Sequence, residues 1–190
     1  MQNRKPMVLV FAGPNGSGKS TSKSFFSIVG EYTNADDVVS ATGMTNLEAA
    51  REVDDRRYSA IAQRKDFSFE TVLSSEYKMN LLRAAKDAGY FIKCVFVLTS
   101  DPKINIQRVQ QRVLDGGHDV DAEKIVSRYY GAISNIPELL KLCDILHIYD
   151  NTENLYRIVR KRKEDFNIFP NKFWSMEDIS RLLFGKYRVN

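Results

Sequence analysis

Cysteine is scarce in this chain, with only Cys94 and Cys143 among 190 residues. Both sit in apolar segments, and neither has a second cysteine or a histidine at metal-ligand spacing. They read as buried, reduced thiols, so neither a disulfide framework nor a zinc site is expected. Long hydrophobic runs are also missing. No apolar stretch approaches the ~18 residues that a membrane-crossing helix requires. Met7–Ala12 is too short for the apolar core of a secretory leader, so a cytoplasmic protein without membrane contact is expected. No internal repeat, low-complexity tract or linker interrupts the sequence. A strong charge bias is absent as well: 28 basic against 24 acidic residues leave a net charge of +4. Residues 1–150 are balanced at 19 of each sign, and residues 151–190 hold the excess with 9 against 5. The densest run is Arg160-Lys161-Arg162-Lys163. A solvated face accounts for such a run, and a phosphate or nucleic-acid contact is the sharper alternative. The total is too weak to argue for nucleic acid, which is not expected as a partner.

What is present is a globular composition, 43% hydrophobic, in a length that suits one domain. Pro6–Ala12 reads as a buried strand stopped by Gly13-Pro14, followed by a helix over Ser20–Val29 and a short strand over Glu31–Ala35. Thr45–Lys65 has amphipathic spacing and opens with the capping-box pair Thr45 and Glu48. Phe67–Thr71 alternates as a strand does. Ser75–Ala88 reads as a helix closed by Gly89. Tyr90–Leu98 is the strongest strand and fits the middle of a parallel sheet. Helices are expected over Pro102–Leu114 and Val120–Leu142, the latter bent before Pro137. Asp144–Tyr149 is expected as the last sheet strand, Tyr156–Phe169 as a hairpin turning at Lys161–Glu164, and Ser175–Phe184 as a final helix. Strands alternating with helices imply an α/β fold with a parallel sheet flanked by crossover helices. The expected organisation is a core over 1–155 with a helical lid at about 108–128. A C-terminal extension over 156–190 then belongs to the same domain.

Gly13-Pro14-Asn15-Gly16-Ser17-Gly18-Lys19-Ser20 fits the P-loop pattern G-x-x-x-x-G-K-[ST], between an expected strand and an expected helix. Its glycines let backbone N–H groups close around phosphate oxygens, and the helix start adds positive potential. Lys19 is the ligand for β- and γ-phosphates, and Ser20 is the hydroxyl ligand for Mg²⁺. Residues 13–20 with Thr21 are thus the candidate ATP site. The wording of the loop looks like that of ABC-type ATPases, but neither an LSGGQ-type signature nor an apolar strand ending in Asp-Glu follows.

Three further features bear on what the triphosphate is used for. Asp36 closes the second expected strand, where the ligand crevice of a parallel sheet opens. A carboxylate there suits a general base for an attacking hydroxyl, and a turn or cap residue is the plain alternative. Glu70 and Thr71 end the third strand on the same side, positioned for substrate, and Asp36 or Glu70 can also reach Mg²⁺ through water. Arg108 and Arg112 share one helical face, Gly116-Gly117-His118 follows, and Arg128 lies on the next helix. Such a lid can clamp a transferring phosphoryl group, although solvated arginines on a helix face are the ordinary reading. His118 suits a hinge or packing role better than catalysis.

Taken together, Ala12–Thr21, Asn34-Ala35-Asp36, Phe67-Ser68-Phe69-Glu70-Thr71 and the run from Arg108 through Gly116-Gly117-His118-Asp119-Val120 resemble the zeta toxin family, particularly its short chromosomal members. Arg128-Tyr129-Tyr130, Asn135–Leu139 and Tyr149-Asp150-Asn151 continue the likeness, which covers about residues 6–151. The resemblance implies a P-loop kinase using ATP and Mg²⁺, with Asp36 as base, Lys19 on phosphate and lid arginines from Arg108, Arg112 and Arg128. It further implies a small hydroxyl acceptor, the best-known being the amino-sugar 3′-hydroxyl of UDP-N-acetylglucosamine, and an antitoxin partner. Where larger toxins carry an Arg and a His-Pro segment after the base, this chain has Asp37-Val-Val-Ser-Ala-Thr42. A nucleic-acid kinase or end-processing enzyme, and an ATP-dependent interaction module, remain as alternatives.

Overall fold

Val8–Ala12 and Val95–Leu98 are the most deeply buried stretches of the chain, each residue 1% exposed or less. They belong to neighbouring strands at the centre of a seven-stranded sheet in a computed structural model that describes residues 4–117 and 119–185. The strands are β1 (Met7–Ala12), β2 (Glu31–Thr33), β3 (Phe67–Thr71), β4 (Phe91–Leu98), β5 (Ile145–Asp150), β6 (Tyr156–Arg162) and β7 (Asp165–Ile168). Their order is β2-β3-β1-β4-β5-β6-β7. The first five are parallel, whereas β5-β6-β7 pair antiparallel. The sheet therefore continues past Asp144–Tyr149, the expected last strand. Sequence could not show this, because an antiparallel strand is recognised only by its partner.

Eight helices are described: α1 (Lys19–Lys23), α2 (Ala35–Thr42), α3 (Asn46–Ala62), α4 (Glu76–Asp87), α5 (Pro102–Leu114), α6 (Ala122–Ser134), α7 (Ile136–Leu142) and α8 (Met176–Leu183). Thr45 and Glu48 form the capping box that their spacing predicts. Three boundaries differ from expectation. α1 stops at Lys23, not Val29. Ser22 and Ser24 turn their hydroxyls back onto the Lys19 and Thr21 carbonyls, a competition that disfavours helix. Phe26 is thereby freed to pack edge-on against Phe11 and Tyr149. The second strand ends at Thr33, because the Asn34 side chain accepts from Asp36 N and caps a new helix, α2. The long helix expected over Val120–Leu142 is two helices, broken at Asn135 just before Ile136-Pro137.

The two faces of the sheet are covered unequally. α4, α6, α7 and α8 bury Leu82, Ile133, Leu139 and Ile179 in one large core. The other face keeps a small cluster of Leu9, Phe11, Val95 and Val97, packed by Phe26, Val29, Tyr32, Tyr149 and Leu155. β1 lies between β3 and β4, so the chain switches direction along the sheet beside it. A ligand crevice is expected beyond the strand ends at such a switch.

Candidate active site

The crevice is there. A cavity of about 720 Å³ opens beyond the ends of β1 and β3, lined by the P-loop, Asp36, Glu70, Thr71 and the arginines of α5 and α6. The loop that forms its floor is anchored from behind. Asn105, fully buried on α5, donates to the Asn15 carbonyl at 2.6 Å and accepts from the Thr99 hydroxyl. Asn151, just past β5, donates to the Ser17 carbonyl at 2.8 Å. These two carbonyls are thereby held by side chains behind the loop. Gly13 shows why the loop needs glycine: φ is +137°, and a Cβ there would lie 2.0 Å from the Val97 carbonyl oxygen.

Asn15, Gly16, Gly18, Lys19, Ser20 and Thr21 line the cavity, whereas Gly13, Pro14 and Ser17 are buried behind them and shape the loop. The Lys19 ammonium donates to the Pro14 carbonyl at 2.9 Å. Burial lowers its pKa, while the charges of Glu70 and Asp36 oppose that shift, so both carboxylates act on the same cation. Ser20 donates to the Glu70 carboxylate at 3.0 and 3.1 Å, and the Tyr32 hydroxyl reaches the same group at 3.2 Å. Burial and the Glu70 charge raise the Tyr32 pKa far above the ordinary phenol value, so Tyr32 remains a donor.

Asp36 is exposed in the first turn of α2, a place where the helix dipole favours a carboxylate. It lies at a helix start, not at the strand end its spacing suggested, yet still lines the crevice. Thr71 is buried at the end of β3, its hydroxyl accepting from Leu73 N. Arg108, Arg112 and Arg128 all line the cavity but differ in attachment. Arg108 donates to the Thr152 carbonyl at 3.1 Å, and Arg128 donates to the Asn15 side chain at 3.2 Å. Arg112 and Arg128 both act on Lys19. His118 lies outside the described residues.

The wall beneath α2 holds a group that sequence reading missed. Arg57 on α3 has a side chain 2% exposed, donates to both the hydroxyl and the carbonyl of Thr33, and pairs with Asp54 at 2.9 Å. Its guanidinium lies over the Phe69 ring, 4.6 Å from the centroid. Asp54 also accepts from Tyr77 and Lys78, each at 3.1 Å. Nothing local marks Arg57 among the many charges of α3, and its partners come from other elements.

The donor set suits Mg²⁺, since a hydroxyl and a carboxylate are hard oxygen ligands and this ion takes few protein ligands beside phosphate.

Comparison with known proteins fits this geometry. A family model described as zeta toxin matches residues 23–162, beginning just past the P-loop. An uncharacterized protein of Haemophilus influenzae is 29% identical over 136 residues, 68% of this chain and 94% of that protein. Two solved structures share the fold across 99% of the chain. One is the AvrRxo1-ORF1:-ORF2 complex with ATP, at TM-score 0.72 and 14% identity. The other is the PezAT chromosomal toxin–antitoxin system of Streptococcus pneumoniae, at 0.60 and 15%. The chain spans 66% of the AvrRxo1 chain and 82% of the PezAT chain. No described helix is long and apolar enough to cross a membrane. With a family model covering most of its length, the chain belongs to the zeta toxin family.

Proposed function

We propose that this protein is a cytoplasmic ATP-dependent kinase that transfers the γ-phosphate to a hydroxyl of a small molecule. The observation that carries the reading is the convergence of Lys19, Ser20, Asp36, Glu70 and the lid arginines on one cavity. In this reading the P-loop N–H groups and Lys19 hold the β- and γ-phosphates. Ser20 would hold Mg²⁺ directly and Glu70 through water, where the ion would supply charge neutralisation for the phosphates. Asp36 accepts the proton of the acceptor hydroxyl as its oxygen bonds to the γ-phosphorus. The bond from that phosphorus to the bridging oxygen breaks, and ADP leaves. Arg112 and Arg128 offset charge on the phosphoryl oxygens as they move between donor and acceptor. Arg108, tied to the chain past β5, holds that side of the lid.

Family membership supports a nucleotide-sugar such as UDP-N-acetylglucosamine as the acceptor, placed against Asp36, Glu70 and Thr71, and an antitoxin as protein partner. Residues 1–155 then form the kinase core and 156–190 an extension of the same domain. The test is ADP release with ATP, Mg²⁺ and UDP-N-acetylglucosamine or related nucleotide-sugars. Release should depend on the acceptor and disappear in Asp36→Asn; release that never responds to an acceptor would contradict the proposal.

A further inference from the structure

β4, β5 and β6 present two unlike faces. By register, Cys94, Phe96, Leu146, Ile148 and Val159 point into the large core. The opposite face carries Lys93 on β4, His147 on β5, and Arg157, Arg160 and Arg162 on β6. Among the described residues, no helix contributes to the small cluster beside it, which is packed by partly buried side chains from other segments.

Three observations set this face apart from an ordinary solvated strand. The cations converge by register, since Arg160 lies opposite His147, and Lys93 and Arg162 flank Ile145 on either side; burial first, and then Arg157, Lys93 and Arg160, lower the His147 pKa to about 4. They also lack acids. Among the described residues, Lys93, Arg157, Arg160 and Arg162 form no ion pair. Asp150 points to the other face, and Asp165, opposite Arg162 on β7, is the one carboxylate that strand register brings to this face's rim. Finally, His147 Nδ1 and Arg157 Nε are buried atoms without a hydrogen-bond partner. Being buried, these two atoms are not themselves within reach of a surface ligand; the exposed Arg160 and Arg162 are the groups that can meet one.

The chemistry of that partner follows from what surrounds the charges. The Lys93 ammonium lies 5.4 Å from the centroid of the Phe26 ring, and the Arg157 guanidinium 5.7 Å from that of Phe169. Tyr149 stands edge-on to both Phe26 and His147. Cations interleaved with aromatic rings on an open sheet suit a chain of phosphates that also carries stackable bases. The surface is a sheet face, about 17 Å long from Arg157 to Arg162 at strand rise, with no described helix laid across it to enter a duplex groove. An acidic peptide would satisfy the cations and leave the rings unused. The net charge of +4, too weak as a total, gains weight when four unpaired cations share one face.

We propose that the open face of β4–β6 binds single-stranded nucleic acid, with phosphates against Lys93, Arg157, Arg160 and Arg162 and bases against Phe26 and Phe169. The test is fluorescence anisotropy of labelled oligo(dT) and oligo(U) with the full chain over a range of salt. Saturable binding is expected, with a log–log salt slope of about −3 for four phosphate contacts. In Arg160→Ala/Arg162→Ala the slope should shrink to about −1.5 and affinity at low salt should fall more than about tenfold. These residues are exposed, and a Lys93→Gln variant, on another strand, gives an independent reduction. Lys19→Ala should bind as wild type does. In the wild-type chain, oligonucleotide should raise the His147 pKa, read by NMR titration. Absent binding, an unchanged slope in the double variant, loss of binding in Lys19→Ala, or equal affinity for a poly-glutamate peptide would each overturn the assignment.

Discussion

The Ser20 hydroxyl donates to the Glu70 carboxylate at 3.0 Å, tying the first turn after the P-loop to the end of β3. Sequence alone places these residues on separate elements 50 positions apart. If this pair holds Mg²⁺, Glu70→Gln keeps the shape and removes the charge. The Mg²⁺ concentration for half-maximal ADP release should then rise about tenfold, with kcat falling about 10²-fold, the scale of losing one electrostatic stabiliser. A Mg²⁺ titration of turnover reads both. An unchanged metal requirement would remove Glu70 from the metal's surroundings.

Asn105 should matter out of proportion to its distance from the phosphates. Asn105→Ala removes the buried partner of the Asn15 carbonyl and leaves the Thr99 hydroxyl with the Asp101 carbonyl alone. The expected loss is about 1–3 kcal/mol of stability, measured by urea unfolding. KM for ATP should rise more than kcat falls, because the loop is positioned by Asn105 and not contacted through it at the reacting atoms.

Gly13 and Gly18 should separate two kinds of steric failure. At Gly13 an added Cβ meets the Val97 backbone oxygen, which cannot move aside. At Gly18 it meets Asn151 Nδ2 at 2.3 Å, the end of a side chain. Gly18→Ala should therefore recover part of its ATP binding when combined with Asn151→Ala, and Gly13→Ala should have no such partner. Some loss persists at Gly18 because its φ of +93° strains any side chain. Isothermal titration with ATP compares the variants.

His147 gives the protein a pH dependence with a definite sign. Its folded pKa is about 4, lowered by burial and then by Arg157, Lys93 and Arg160, while the unfolded value is near the ordinary 6.5. Between these values the unfolded chain binds more protons, so stability falls as pH drops from about 6.5 to about 4. Each pKa unit is about 1.36 kcal/mol, and solvent screening of this half-buried group brings the expected loss down to about 1–2 kcal/mol. His147→Gln should flatten that part of the profile in urea melts between pH 4 and 7.

Arg57 tests how much of the crevice wall is structural. Its guanidinium joins Asp54 to Thr33, the residue that precedes the Asn34 cap of the helix carrying Asp36. Arg57→Ala leaves Asp54 with Lys78 as its remaining ion-pair partner and should cost about 3–5 kcal/mol, read as a lowered Tm. Arg57→Lys should restore part of the stability but not the double contact with Thr33.

The parts of the site legible in the sequence are those written within a few residues. The glycines and Lys19-Ser20 of the P-loop are local, as are the alternation of Phe67–Thr71 and the capping box at Thr45. What was not legible depends on distant partners. Asn105 reaches Asn15 across 90 positions, and Arg57 reaches Thr33 across 24. The start of α2 was misread because Asn34 ends a strand and caps a helix at one residue. The hairpin over Tyr156–Phe169 was legible, but its addition to the sheet edge was not, because β6 shows that place only when β5 lies beside it.

In the proposed reaction, the cavity around Lys19 and Asp36 moves phosphate from ATP to a hydroxyl. The most direct measurement is mass spectrometry of a metabolite pool incubated with ATP, Mg²⁺ and either the wild-type chain or Lys19→Ala. A new species heavier than its parent by one phosphoryl group is expected, formed by the wild type and absent with Lys19→Ala and Asp36→Asn. ATP consumed by the wild type with phosphate released only to water, and no phosphorylated product in any pool, would contradict it.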